Sequence, residues 1–117
     1  MKLETVKEIL DAKVLTSDAR LSDEVNSACG CDLMSDVLAF VKDKALLLTG
    51  LMNPQVVRTA EMMDITTIVF VRGKIPDESL IKLAEMKGIV LMSTELTLYI
   101  ACGRLYKNGL VGKGGME

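Results

Sequence analysis

Three apolar runs recur at a nearly constant interval, and this rhythm restricts the chain more than any other feature. Leu46-Leu47-Leu48-Thr49, Thr66-Thr67-Ile68-Val69-Phe70-Val71 and Gly88-Ile89-Val90-Leu91-Met92 have centres about 22 residues apart. The middle run is rich in β-branched residues, which favour strands. Between the runs lie two helical patterns, over 54–63 and 77–87. The first places Val56, Val57, Ala60 and Met63 on one face, and the second places Leu80, Leu83 and Ala84 on one face. Strand, helix and strand at this spacing is the signal of βαβ units, whose crossovers make the strands parallel. Near-continuous apolar strands fit a sheet covered by helices. The expected fold class is therefore α/β, a layered and mostly parallel β-sheet built from βα units.

Helix starts are marked locally. Asn53-Pro54 offers a capping side chain followed by proline at the first helical position. Pro76-Asp77 opens the next helix, and Gly88 closes it after Lys87. Ser93 or Thr94 is expected to cap a helix from Glu95 to about Tyr106. Its apolar set, Leu96, Leu98, Tyr99, Ala101, Cys102 and Leu105, is wider than one stripe and suggests contact on two sides, one of them with another subunit.

The first half is less regular. Leu3, Val6, Ile9 and Leu10 share one face of a two-turn amphipathic helix. Lys13-Val14-Leu15-Thr16 reads as a short strand, and 17–23 as a polar turn. Over 24–31, Val25, Ser27 and Cys29 alternate with Asn26, Ala28 and Gly30, a strand whose small side chains suit close approach of another element. Asp32 then reads as the N-cap of a helix carrying Leu33, Val37, Phe40 and Val41 on one face. The glycine-rich end, 108–117, lacks periodicity and Walker spacing and is expected to be a flexible tail after a domain spanning 1–107.

Composition narrows the function. The 117 residues are 50% hydrophobic but only 3% aromatic, with neither Trp nor His, so the core must be built from aliphatic side chains and Met. A net charge of -2 lacks the basic footprint that phosphate-backbone binding needs, which weighs against nucleic acid. No apolar run approaches the ~20 residues of a membrane span, and the N-terminus does not read as a signal peptide. The default is a soluble cytoplasmic protein with no membrane partner. Without His, metal ligation by Cys29 and Cys31 would need carboxylates, and no metal or other cofactor is expected. Asp32 and Asp36, one helical turn apart, could support metal-assisted phosphohydrolysis, but the pair reads more simply as a cap and a surface charge.

Ligands of open parallel sheets sit beyond the carboxyl ends of the strands. Four stretches converge there if the reading holds, supplying Asp32; Thr49, Gly50 and Asn53; Arg72, Gly73 and Lys74; and Ser93 and Thr94. Hydroxyls, helix N-termini and two cations together could hold a phosphate. Taken singly, they are a solvated turn and ordinary caps. No general base and no nucleophile elbow is present, so no catalytic residue is assigned.

Several of these segments resemble the DRTGG domain family: 28–40, the strand end Leu46-Leu47-Leu48-Thr49-Gly50, Thr67-Ile68-Val69-Phe70-Val71-Arg72-Gly73 and Val90-Leu91-Met92-Ser93-Thr94. The resemblance spans about residues 3–107. The family's literal five-letter signature is absent, with Leu51 following Thr49-Gly50 where a second glycine would be expected. The resemblance implies a fold like the N-terminal domain of HPr kinase/phosphorylase. It implies the accessory role that the module has beside phosphotransacetylases and CBS-containing pyrophosphatases. The expectation is a non-catalytic regulatory or protein-interaction module, homodimeric, with a protein partner. The alternative is a domain that senses an adenine nucleotide or other phosphate-containing ligand.

Overall fold

Side chains alternate along a strand, and here alternate residues enter two different cores. In the computed structural model, which describes residues 1–16, 20–35, 37 and 45–111, the elements run α1 (Leu3–Leu10), β1 (Lys13–Val14), β2 (Ser27–Gly30), β3 (Ala45–Thr49), α2 (Pro54–Met62), β4 (Thr67–Phe70), α3 (Glu78–Met86), β5 (Val90–Ser93) and α4 (Leu98–Lys107). Leu47, Ile68, Phe70 and Leu91 point to one side, against Val56, Val57 and Ala60 of α2 and Leu80 and Ala84 of α3, with Met34 and Val37 beside them. Leu46, Leu48, Val69, Val90 and Met92 point to the other, against Leu3, Val6 and Leu10 of α1 and Ala101 and Leu105 of α4. Helices thus cover both faces of the sheet. That explains why the strands read as unbroken apolar runs rather than as alternation.

The sheet order is β1-β5-β4-β3-β2. β2, β3, β4 and β5 are mutually parallel, with Leu47 opposite Ile68 and Ile68 opposite Leu91, and β1 closes one edge antiparallel to β5. The layered, mostly parallel α/β fold read from the sequence is the fold found. Among the described residues no helix is long and apolar enough to cross a membrane.

Local details depart from the sequence reading where a distant partner claims a side chain. Asn53 caps α2 through Gln55 N at 3.0 Å, and Asp77 caps α3 through Leu80 N at 3.0 Å, both as expected. The last helix starts later than Glu95. Thr97, not Ser93 or Thr94, is its cap, accepting from Ile100 N at 3.4 Å. Leu110 is buried, and its N–H donates to Leu105 O at 2.9 Å, so packing continues past residue 107. Residues 112–117 lie outside the described residues, as do Ser17 to Ala19, Asp36 and the Leu38 to Val41 part of the expected helix.

The small residues of β2 serve the close approach expected of them. A Cβ on Gly30 would collide with Cys102 Sγ and fall 3.3 Å from Leu98 Cδ1, so glycine here sets how near α4 sits to the sheet. One buried hydroxyl is less well served. Among the described residues Thr67 Oγ1 has no hydrogen-bond partner, while its neighbours across the sheet are Leu46 and Val90. An unsatisfied buried hydroxyl is costly, and valine has nearly the same shape. Thr67→Val is expected to raise stability by about 1 kcal/mol and the melting temperature by roughly 4 °C, read by circular dichroism. An unchanged or lower melting temperature would mean that the hydroxyl is satisfied in solution.

Candidate functional site

Four parallel strands bring four carboxyl ends to one rim, and the chain segments leaving them meet there. Asp32 follows β2, Thr49 and Gly50 end β3, Arg72-Gly73-Lys74 follows β4, and Ser93-Thr94 ends β5. The centre of the rim is a carboxylate. Asp32 Oδ1 accepts from Gly50 N at 2.7 Å and from Thr49 Oγ1 at 3.0 Å. Thr49 Oγ1 in turn accepts from Leu51 N at 3.1 Å. The sequence reading makes Asp32 the cap of a following helix. Its Oδ1 ties the end of β2 to the loop after β3, while the expected helix runs into residues outside those described.

The cations lie over this loop. A Cβ on Gly50 would come within 2.7 Å of Arg72 Nη2 and 3.6 Å of Asp32 Oδ1, so the guanidinium rests on the glycine beside the carboxylate. Lys74 Nζ donates to Gly50 O at 3.1 Å. Asp32 is held below the ordinary carboxylate pKa, chiefly by the Gly50 N–H. Partial burial opposes this, while the Thr49 hydroxyl and the charges of Arg72 and Lys74 add to it. Arg72 adopts φ 60° and Gly73 φ 69°, a turn in the left-handed region that only glycine enters freely. Arg72 is kept there by its N–H to Leu96 O at 2.8 Å, and Gly73 by its N–H to Thr94 O at 2.8 Å. Glu95, which sequence reasoning passed over, presses its carboxylate on Gly73, where a Cβ would lie 2.8 Å from Oε1. Its only sequence signal is an acidic residue just after a strand end.

Of the expected site residues, Asp32, Thr49, Gly50, Arg72, Gly73 and Lys74 form this cluster. Ser93 and Thr94 turn inward. Ser93 Oγ donates to Lys74 O at 2.7 Å, and Thr94 Oγ1 donates to Leu10 O at 2.8 Å. The Asn53 side chain is occupied as the α2 cap. The Gly50 and Leu51 amides already donate to Asp32 Oδ1 and Thr49 Oγ1. The loop therefore carries its own anion. Cys29 and Cys31 pack on the α2–α3 side of the sheet and Cys102 on the α4 side. Among the described residues no three Cys, Asp or Glu side chains gather as a metal site.

These features define a three-layer α/β domain with a charged rim at its strand ends. No protein-family model matches the chain, and no curated protein matches it closely. Among solved structures, it is similar to the CBS and DRTGG domains of the regulatory region of Clostridium perfringens pyrophosphatase, complexed with the activator diadenosine tetraphosphate. The TM-score is 0.72 at 15% identity, over 99% of this chain and 50% of that one. The likeness is one of fold, and this chain spans about half the length of the chain it matches.

Proposed function

We propose that the chain is a non-catalytic regulatory or protein-interaction module of the DRTGG type that works as a homodimer. The observation that carries this reading is apolar surface left uncovered on one element. Tyr99 and Tyr106 of α4 are 85% and 65% exposed, and Ile100 lies beside them. Contiguous exposed apolar side chains of this size favour a partner, and a two-fold dimer is the commonest closed assembly. The charged rim supports the non-catalytic half of the proposal. Its carboxylate is engaged in fixing a loop rather than poised to move a proton. Size-exclusion chromatography with light scattering should return twice the 12.7 kDa chain mass. A strict monomer at high micromolar concentration overturns the dimer.

A second reading, a sensor for a phosphate-bearing ligand such as an adenine nucleotide, is favoured by Arg72 and Lys74. Neither makes an ion pair within 4.0 Å among the described residues. An incoming anion would have to replace Asp32 on the Gly50 N–H and tolerate Glu95. Asp32 is on this reading a competitor rather than a ligand group. Calorimetry with adenine nucleotides and diadenosine polyphosphates should show saturable binding, weakened by Arg72→Ala or Lys74→Ala and strengthened by Asp32→Ala. Absence of heat with both wild type and Asp32→Ala removes this reading.

A further inference from the structure

Gly103 lies in the interior of α4, and among the described residues nothing requires a glycine there. It is helical and exposed, it is not among the positive-φ residues, and a Cβ built on it meets no neighbouring atom of the described residues within 4 Å. Glycine in an exposed helix interior is less stable than alanine, so the position carries a cost with no return inside the monomer. Its neighbours on the helix surface, four and three residues to either side, are Tyr99, Ile100, Tyr106 and Lys107. Together they border an open groove of about 450 Å³ over the glycine. The opposite face of α4 is already used, with Ala101 and Leu105 buried against the sheet.

We propose that α4 pairs with α4 of a second copy, antiparallel, with the two-fold axis passing at Gly103. This deepens the dimer reading and rests on it. About that axis, each residue meets the one equally far on the other side of Gly103. Ile100 then packs against Tyr106 of the partner subunit, and the Tyr99 ring receives Lys107 of the partner subunit, an aliphatic–aromatic contact and a cation over an aromatic face. Charge selects the direction. A parallel crossing would oppose Lys107 to Lys107, whereas the antiparallel one offsets these two by about 12 Å along the helices and sets the positive end of each helix dipole beside the negative end of the other. Glycine at the crossing lets the axes approach to about 8 Å, the short end of the usual range. One helix pair falls short of the roughly 800 Å² per partner of a standard interface. A second groove of about 250 Å³, between α4 and the edge strand β2, shares Cys102 and Tyr106 with the first and continues the same face.

Gly103→Ala tests the pairing because its two effects have opposite sign. Alanine strengthens the helix in a monomer but blocks the crossing. The variant is expected to melt higher than wild type at high dilution, yet to dimerise at least tenfold more weakly by sedimentation equilibrium. Gly103→Cys should form a disulfide-linked dimer on mild oxidation, above the background given by wild type, while Ser79→Cys on exposed α3 should not. If wild type dimerises but Gly103→Ala does so equally tightly and Gly103→Cys does not cross-link, this face is wrong and the dimer reading stands. If wild type is monomeric, the dimer reading itself fails.

Discussion

Phe70→Ala is expected to cost about 3–5 kcal/mol, the penalty for emptying a packed aromatic site, and to leave the domain close to unfolding. Phe70 is fully buried and in register with Thr49 on one side and Ser93 on the other. The chain has two Phe and no Trp, so its core is aliphatic and the side chains around Phe70 are smaller ones that cannot fill the space. The loss should reach the rim. Phe70 O accepts from Thr94 N at 2.9 Å, and the adjoining Val71 N donates to Thr49 O at 3.1 Å, so slack at this point loosens the segments that carry Arg72 and Lys74. Urea unfolding gives the measurement. A loss under about 1 kcal/mol would show that the surrounding side chains close the gap, outside the range seen for large-to-small core changes.

Asp32 supplies the second large effect and a pH dependence. Asp32→Ala leaves the N–H of buried Gly50 without its acceptor and removes the negative charge that Arg72 and Lys74 act on. Removing an ionised acceptor from a buried donor costs about 2 kcal/mol after allowance for the solvent around this carboxylate. Asp32→Asn isolates the charge, because the amide oxygen can still accept. The folded pKa of Asp32 lies below the ordinary value of 3.8, so its ionised form stabilises the fold. That contribution is complete above the unfolded pKa, near 4, and disappears as pH falls through the lower folded value. Wild type should therefore exceed Asp32→Asn in stability at pH 7 and at pH 5, with the gap closing below pH 4. A constant gap across this range would show that the difference is steric rather than electrostatic.

The fold was legible wherever local pattern and tertiary structure agree. The β-branched run at β4, the interval to β3 and β5, and the caps Asn53 and Asp77 could all be read because their partners lie within a few residues. Three hydroxyls near the start of α4, on Ser93, Thr94 and Thr97, are locally equivalent as caps. Lys74 O and Leu10 O, distant in sequence, claim the first two and leave Thr97 for the helix. The rim residues were found by topology, since parallel strands must end together. Their mutual hydrogen bonds were not, because a carboxylate that suits a helix cap suits a strand-end amide 18 positions away equally well. Glu95 at the rim and the glycine within the apolar face of α4 escaped notice for a related reason. A charge or a glycine acquires meaning only from what stands opposite it.

The pairing of β1 with β5, reinforced by the hydrogen bond from Thr94 to a carbonyl 84 residues earlier, has a consequence for how the chain is made. Of the elements described, α1 is made before all the others and is among the last to find its full set of neighbours. Until β5 has emerged, the apolar stripe Leu3, Val6 and Leu10 has only part of the surface it finally covers. Closing so long a loop comes late and slowly. Vectorial synthesis thus leaves a greasy α1 waiting on β5 and α4, an interval in which a holding chaperone would improve the yield of folded protein.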